Sequence, residues 1–170
     1  MTTSPIHPDT TLGYVHLTIS NLNRSLEFYQ RALGFRVHRH EGGTAFLGAG
    51  GDDLLGLTEL PGARRPRHAT GLYHFAVLVP SRLELAQSLK RIAETETPVQ
   101  GFADHFVSEA IYLADPAGNG IEIYRDRPRS DWHDAQGNIR MGTDPLDVDG
   151  VMSELQGSGA ALRHASHQGA

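Results

Sequence analysis

Alternating apolar and polar positions mark two similar segments of the chain. Gly-Tyr-Val-His-Leu-Thr-Ile at residues 13–19 matches Gly-Leu-Tyr-His-Phe-Ala-Val at residues 71–77, and both have the alternation of a half-buried β-strand. Residues 46–58 match residues 112–124 in the same way, without a gap. The order of these matches is the same in both halves, which indicates an internal repeat.

A helical pattern follows each of the two predicted first strands. After the first strand, apolar residues recur at i, i+4, i+7 and i+11, at Leu22, Leu26, Tyr29 and Leu33. Asn21 is suited to cap the start of this helix, and glycine follows its end at residue 34. Pro80-Ser81 begins the corresponding helix of the second unit.

Three short strands complete each unit. They are predicted at residues 35–40, 44–48 and 53–59 in the first unit, and near residues 99–102, 109–114 and 120–125 in the second. Asp-Pro-Ala-Gly-Asn-Gly supplies strong turn chemistry before the last strand. The pattern predicts an α+β fold of two tandem βαβββ modules.

The remaining segments have the composition of tails and connections. Residues 63–70 are rich in Arg and Pro and predict a linker. A helix start is expected at Thr143-Asp144-Pro145, and the small polar residues near the C-terminus predict disorder. The predicted organisation is a tail at 1–11, paired modules over 12–126 (12–60 and 71–126), an extension with a short helix at 127–156, and a disordered tail at 157–170.

Composition restricts the function. The net charge of −5 argues against a nucleic-acid-binding protein, and without cysteine the chain has no thiolate metal site and no cysteine nucleophile. No apolar run is long enough for a membrane span, and no secretory signal is evident at the N-terminus, so a cytoplasmic location is expected. A bound metal would need His, Asp, Glu or Tyr ligands.

Strand periodicity places three ionisable residues on the faces that point away from the helices. His16, His74 and Glu122 each alternate with apolar neighbours, so these faces would line a common cavity if the modules pair. Two imidazoles and a carboxylate can hold one face of an octahedral ion and leave three positions open. A lone His in a strand is more often structural, so the residues alone leave both interpretations open.

Several motifs then point to a known family. The chain resembles the vicinal oxygen chelate superfamily, which includes glyoxalases, extradiol dioxygenases and bleomycin-resistance proteins. The resemblance covers residues 12–126, and its motifs are Val-His-Leu at 15–17, Ser-Leu-Glu-Phe-Tyr at 25–29, Leu-Gly-Phe at 33–35 and Asp-Pro-Ala-Gly-Asn-Gly-Ile-Glu-Ile-Tyr at 115–124. It implies that the modules form a curved, partly open mixed β-sheet barrel around a metal cavity.

Residues 71–76, 104–110 and 141–147 are most similar to the catechol-2,3-dioxygenase-like branch, which often has four modules in a longer chain. The resemblance implies that His16, His74 and Glu122 bind one divalent metal, with Fe(II) or Mn(II) favoured and Ni(II) or Zn(II) as alternatives. Glyoxalase-type sites add a fourth ligand at the end of the first module. The ungapped repeat places Gly56 there, which has no ligating atom, so three ligands are expected.

Two further residues gain roles from the same resemblance. Ring-cleaving enzymes place an acid–base His and a Tyr at distances before the carboxylate ligand that match His105 and Tyr112. A His can take a catechol proton, and a Tyr can hydrogen-bond the second phenolic oxygen. The alternative is an exposed loop His and a cavity-wall Tyr. His68, just before the second module, is a further candidate.

The resemblance implies an Fe(II)- or Mn(II)-dependent enzyme that cleaves a catechol-type ring. The alternatives are a lyase or isomerase of the glyoxalase type and a non-catalytic protein that binds a small aromatic molecule. The expected partner is a small molecule such as an aromatic diol, with neither nucleic acid nor membrane. The modules can pair within one chain or between two, so a homodimer is a further expectation.

Overall fold

The computed structural model describes residues 5–64 and 70–165, with side chains described up to residue 156. The first module consists of β1 Val15–Ile19, α1 Leu22–Arg31, β2 Arg36–Glu41, β3 Thr44–Gly48 and β4 Leu55–Glu59. The second consists of β5 His74–Leu78, α2 Arg82–Glu94, β6 Val99–Asp104, β7 Ser108–Ala114 and β8 Gly120–Asp126. The predicted α+β fold of two βαβββ modules is confirmed.

Each module forms its own four-stranded mixed sheet. The strand orders are β1-β4-β3-β2 and β5-β8-β7-β6, and the first strand of each module runs parallel to its last. The register shifts once in the second strand of each module, between Val37 and Arg39 in β2 and between Val99 and Gly101 in β6. The repeat therefore extends to local irregularities of the backbone.

The helices begin where the sequence predicts. The side chain of Asn21 accepts a hydrogen bond from the Arg24 N–H, and that of Ser81 accepts one from the Glu84 N–H. Each bond satisfies an N–H group that has no partner inside the helix. Gly34 has a φ of +77°, a conformation that glycine adopts at little cost, and it follows the end of α1.

The two modules are joined through their helices and not through their open sheet faces. Tyr29 on α1 is fully buried, and its hydroxyl donates a 2.9 Å hydrogen bond to Asp115 in the β7–β8 turn. Arg24 donates to the Pro116 carbonyl oxygen, and Arg91 on α2 donates to that of Leu33. Apolar residues of both modules form one continuous core around these contacts.

The predicted barrel is not formed, because the two sheets remain separate and do not close around a common cavity. The apolar faces of the sheets explain this arrangement. Ile19, Leu55 and Leu57 are almost completely buried beneath the helix side of the first sheet, and Ile111 and Ile121 are buried in the second. Burial of these faces drives the helix sides together, whereas the opposite faces, with their polar side chains, are left open.

The C-terminal extension returns to the second module. Asp144 forms an antiparallel bridge with Asp104 at the end of β6, through two hydrogen bonds of 2.9 Å. Between Asp134 and Asn138 the chain forms a tight loop in which the Asp134 carboxylate accepts the N–H groups of Gln136 and Asn138. The β7–β8 turn uses the same arrangement, with Asp115 accepting from residues 117 and 119.

The third helix, α3 Val148–Ala165, is longer than the short helix expected from the sequence, and it begins after residues 143–145. Leu146 and Val151 are buried, and the helix packs against α2, which supplies the tertiary contact that a short isolated helix lacks. It extends into the predicted disordered tail, while residues 166–170 and most of the predicted linker lie outside the described residues. Among the described helices, none combines the length and apolar character needed to cross a membrane.

Candidate metal centre

His74 and Glu122 lie side by side on the open face of the second sheet. They belong to the parallel strands β5 and β8, and Ala76, directly opposite Glu122 in the ladder, leaves space above its small side chain. Nε2 of His74 is 3.0 Å from Oε2 of Glu122, and the two side chains are 30% and 14% exposed. The pair therefore presents one nitrogen and one oxygen donor to the same small, accessible region.

Tyr112 orients the carboxylate from the other side. It lies directly opposite Glu122 in the antiparallel β7–β8 ladder, and its hydroxyl donates a 2.9 Å hydrogen bond to Oε1. Burial, followed by the hydrogen bond and the charge of Glu122, raises the pKa of Tyr112 above its ordinary value. The phenol is therefore held in its protonated, donating form at neutral pH.

His105 extends this hydrogen-bonded chain away from the carboxylate. Its Nε2 is 2.8 Å from the Tyr112 hydroxyl, and its Nδ1 is 2.8 Å from the carbonyl oxygen of Gly142. The C-terminal extension supplies this carbonyl group. The imidazole is thereby fixed at both nitrogens, between the second module and the extension.

Hydrogen bonds join Gly142, His105, Tyr112 and Glu122 in series, and one proton in this series can occupy more than one position. Since a carbonyl oxygen only accepts, Nδ1 of His105 must carry a proton to bond Gly142. The single hydroxyl proton of Tyr112 serves either Glu122 or Nε2 of His105. If it is donated to Glu122, the contact with His105 requires a second proton on the imidazole; if it is donated to His105, Glu122 loses this donor. Proton position is thus linked along the whole chain.

His16 lies on the open face of the first sheet, away from this chain. Its side chain is exposed, and its Nε2 is 2.8 Å from the Thr58 hydroxyl on β4. Its ring contacts those of Tyr14 and Phe46, with centroids 6.0 and 5.8 Å apart. Among the described residues, these contacts of His16 all come from its own module.

The structure brings together four of the five predicted site residues, and His16 is the one left apart. Among the side chains that the structure describes, no group of three His, Asp or Glu residues is close enough to hold a metal ion. His74 and Glu122 fit two positions of a metal site, but within one chain the third donor does not reach them. His68 lies outside the described residues.

Strand register changes the predicted position of the missing fourth ligand. His16 lies opposite Gly56, and His74 lies opposite Gly120, so the position equivalent to Glu122 is Thr58 and not Gly56. The hydrogen bonds support the equivalence of Thr58 and Glu122. Thr58 bonds His16 Nε2 and, at 2.9 Å, the Thr44 hydroxyl, as Glu122 bonds His74 and Tyr112. A neutral hydroxyl thus takes the position of the carboxylate in the first module.

A cavity of about 410 Å³ lies beside the hydrogen-bonded chain, within the usual range for a small-molecule site. His74, His105 and Tyr112 line it together with Thr143 of the extension. Its walls also include the exposed Tyr73 and the partly exposed Phe102. The cavity thus combines aromatic side chains with a few polar groups.

Sequence reasoning missed a cluster of arginines around Glu109. This Glu is 1% exposed and receives hydrogen bonds from Arg82, Arg125 and Arg127 on α2, β8 and the following segment. Arg82 also contacts Glu154 on α3, and these contacts raise the pKa of the Arg82 guanidinium despite its partial burial. Like Glu122, Glu109 interrupts an apolar strand, and this signal was available in the sequence.

The family model described as Glyoxalase/Bleomycin resistance protein/Dioxygenase superfamily matches residues 11–123. The chain belongs to this superfamily. Solved structures of superfamily proteins have the same fold. A glyoxalase/dioxygenase from Nostoc punctiforme is 20% identical, with a TM-score of 0.62 over 75% of this chain and 100% of that one. Lactoylglutathione lyase from Agrobacterium tumefaciens is 24% identical, with a TM-score of 0.54 over 70% and 96%.

Two further superfamily relatives are similar in sequence. Catechol-2,3-dioxygenase of Bacillus subtilis is 49% identical over 153 residues, which are 88% of this chain and 53% of the relative. The chain thus spans about half the length of that protein. Lactoylglutathione lyase of Neisseria meningitidis is 29% identical over 129 residues, which are 71% of this chain and 94% of that protein.

Proposed function

We propose that the protein is a metal-dependent dioxygenase that cleaves the ring of a catechol-type substrate outside its two hydroxyl groups. The observation that carries this proposal is the hydrogen-bonded chain His105–Tyr112–Glu122, which ends in a candidate metal ligand and lies along the wall of the cavity. The 49% identity with catechol-2,3-dioxygenase of Bacillus subtilis supports it.

The proposed metal ligands are His16, His74 and Glu122, and the metal is Fe(II) or Mn(II), with Ni(II) or Zn(II) as alternatives. This donor set is typical of non-haem iron sites with open positions. When bound, such a metal activates the diol and dioxygen together. The register of β4 supports a set of three strong ligands, because Thr58 takes the position of a fourth.

The residues of the cavity suit a planar substrate with two neighbouring hydroxyl groups. The ring would pack against Tyr73 and Phe102, and its polar edge would face His105 and Tyr112. His105 would accept a proton from one substrate hydroxyl, and the Tyr112 hydroxyl would hydrogen-bond the second oxygen. Because the Tyr112 hydroxyl contacts both His105 and Glu122, a proton gained by His105 would alter the hydrogen bond that Glu122 accepts.

Oxygen consumption tests the proposal directly. Protein incubated anaerobically with Fe(II) or Mn(II) and then supplied with a panel of catechols should consume one O2 for each ring opened, because both oxygen atoms enter the product. His105→Asn should lower the turnover by about 100-fold or more. The exposed His133 lies outside the cavity, so His133→Asn should retain the wild-type rate. A metal-loaded protein that consumes no oxygen with any catechol would exclude this function.

A glyoxalase-type lyase is the second candidate, supported by the 29% identity with lactoylglutathione lyase over nearly the whole length of that protein. It is the weaker candidate, since Thr58 supplies only a hydroxyl group at the position where a carboxylate would serve as a fourth metal ligand. Turnover of the methylglyoxal–glutathione hemithioacetal by the Ni(II) or Zn(II) protein, without oxygen uptake, would favour this candidate over the first.

A further inference from the structure

Gly101 leaves the cavity open beside Tyr112. It lies directly opposite Tyr112 in the β6–β7 ladder, so the two residues face the same side of the second sheet. Gly101 lines the cavity, and a Cβ added to it would have no other group within 4 Å. Its φ is outside the left-handed region, so other residues could adopt the same backbone conformation. The effect of glycine here is therefore to leave space in the cavity.

A β-bulge in β6 directs Gly101 to this face. Val99 pairs with Leu113 and Gly101 pairs with Tyr112, so Gln100 is an extra residue in the strand. In a regular strand Val99 and Gly101 would share one face. The bulge instead leaves Val99 packed against the apolar core and turns Gly101 to the open side of the sheet.

The first module shows what a side chain at the corresponding place does. Arg39 also directly follows a register shift, and it lies opposite the aromatic residue Phe46. Its guanidinium group is 3.8 Å from the centre of the Phe46 ring and is paired with Asp53. A planar group therefore covers the aromatic ring in the first module. In the second module, Gly101 leaves the space beside the Tyr112 ring accessible to a ligand.

Gly101 lies at the end of a row of residues that crosses the sheet from the candidate metal ligand. Glu122 pairs with Tyr112, and Tyr112 pairs with Gly101, on three neighbouring strands. Since neighbouring strands are about 4.8 Å apart, the Gly101 backbone is about 10 Å from that of Glu122. A catechol with its hydroxyl groups at Glu122 and Tyr112 would direct a substituent on the far side of its ring toward Gly101.

The groups around this space favour an uncharged substituent. Among the cavity-lining residues that the structure describes, none is Lys or Arg, so no permanent positive charge is available to pair with a carboxylate. Gln100 also lines the cavity and can hydrogen-bond a neutral polar group, and Tyr73 offers an exposed aromatic ring. A charged substituent would lose its hydration without gaining a partner of opposite charge.

We propose that Gly101 determines substrate specificity, and that the substrate is a catechol with a small uncharged substituent that lies beside Gly101 and Tyr112. This inference rests on the proposed function, because it names the substrate class of the same site. It assigns the selectivity to a residue outside the proposed metal ligands and outside the His105–Tyr112 pair.

A series of catechols tests the role of Gly101. The wild-type protein loaded with Fe(II) should have a higher kcat/KM for 4-ethylcatechol than for catechol, and the lowest for 3,4-dihydroxybenzoate. Gly101→Val should lower kcat/KM for 4-ethylcatechol about tenfold or more and change that for catechol by about twofold or less, because only the substituent needs the space. Gly101→Ala should have an intermediate effect.

Gly51→Val is the matched control. Gly51 lies between β3 and β4 outside the cavity, and no other group lies within 4 Å of a Cβ added there. This variant should retain both wild-type kcat/KM values. Valine is favoured in strands, so Gly101→Val should fold, and circular dichroism should show this. Titration calorimetry of the Mn(II) protein without oxygen measures the Kd for each catechol, and Gly101→Val should weaken the binding of 4-ethylcatechol but not that of catechol.

The outcomes separate the two proposals. Oxygen uptake with catechols, together with equal losses of kcat/KM for catechol and 4-ethylcatechol in Gly101→Val, would overturn the role of Gly101 and leave the proposed function standing. A wild-type preference for 3,4-dihydroxybenzoate would overturn the uncharged substituent in the same way. Protein that consumes no oxygen with any catechol would overturn the proposed function. Selective loss of 4-ethylcatechol binding in Gly101→Val would then still support Gly101 as the wall of a binding site.

Discussion

Tyr29 donates its hydroxyl proton to Asp115 across 86 residues of sequence, and this buried bond of 2.9 Å joins the first module to the second. Burial and the Asp115 charge together raise the pKa of the Tyr29 hydroxyl above its ordinary value. The hydroxyl therefore stays neutral in the folded protein at a pH where it ionises in the unfolded chain.

The free energy of unfolding should fall with rising pH because Tyr29 ionises more readily in the unfolded chain than in the folded protein. Below pH 10, the stabilisation that goes with the raised pKa of Tyr29 is fully present. Above pH 10, ionisation of Tyr29 in the unfolded chain lowers the free energy of unfolding by about 1.4 kcal/mol for each pH unit. Tyr29→Phe should cost about 1–2 kcal/mol at pH 7, because Asp115 loses one of its donors. The difference in unfolding free energy between wild type and variant, measured in urea, should shrink from pH 9 to pH 11. A constant difference would show that ionisation of Tyr29 does not contribute.

Loss of the buried charge of Glu109 should destabilise the second module. Glu109→Gln leaves three guanidinium groups without their shared carboxylate, and we expect a loss of about 2–4 kcal/mol in unfolding free energy, reduced by the partial exposure of the arginines. Glu154→Gln removes a partly exposed partner of Arg82 and should cost about 1 kcal/mol or less. Equal losses in the two variants would contradict a special role for Glu109.

A carboxylate at position 58 should strengthen metal binding. Thr58 is the equivalent of Glu122, so Thr58→Glu places an oxygen donor beside His16 Nε2 and should lower the Kd for Ni(II) or Zn(II) about tenfold or more. Competition with a chelator measures this change.

Gly56→Glu tests whether Gly56, as in the ungapped repeat, or Thr58, as in the strand ladder, is equivalent to Glu122. A Cβ at residue 56 would lie 3.1 Å from the His16 ring, so this side chain should disturb His16 and weaken metal binding. Tighter binding in Gly56→Glu than in Thr58→Glu would restore the position expected from the ungapped repeat.

Gly142 should control the orientation of His105. A Cβ at this position would lie 2.3 Å from the Phe106 ring, so Gly142→Ala should shift the extension and remove its carbonyl oxygen from Nδ1. Nitrogen NMR shifts of the imidazole should then report a mixture of tautomers, and the pH profile of oxygen uptake should change. The additional substitution Phe106→Ala creates space and should restore both signals.

Gly71→Ala serves as the control for this prediction, because no other group lies within 4 Å of a Cβ there. It should leave the imidazole shifts and the pH profile as in the wild type. Unchanged shifts in Gly142→Ala would show that the carbonyl contact does not orient His105.

Local patterns predict much of this fold. The periodicity of Leu22, Leu26 and Tyr29 and the caps Asn21 and Ser81 depend on neighbouring residues, so they identify the helices correctly. Strand register depends on contacts between distant segments, and the ungapped repeat consequently placed Gly56 where the ladder has Thr58. The predicted barrel was wrong for a similar reason, since the alternation of apolar residues identifies a buried face but not the surface that packs against it.

The candidate site likewise combines features that the local sequence predicts with features that it does not predict. Glu122 in an apolar strand signals a partnered carboxylate, and the structure provides Tyr112 and His74 as partners. Carbonyl groups have no sequence signature, so the role of Gly142 was not predictable. His16, His74 and Glu122 remain a predicted metal set, and the metal experiments above test them.

The two five-residue loops that begin at Asp115 and Asp134 have the same internal hydrogen bonds in different surroundings. The first is buried beneath Tyr29, whereas the second lies at the surface, where the Asn138 N–H groups lower the pKa of the Asp134 carboxyl. Because the exposed copy keeps its geometry without a buried hydroxyl group, the sequence Asp-x-x-Gly-Asn encodes this shape locally. The loop is thus a portable unit that protein engineers can transplant to join two antiparallel strands.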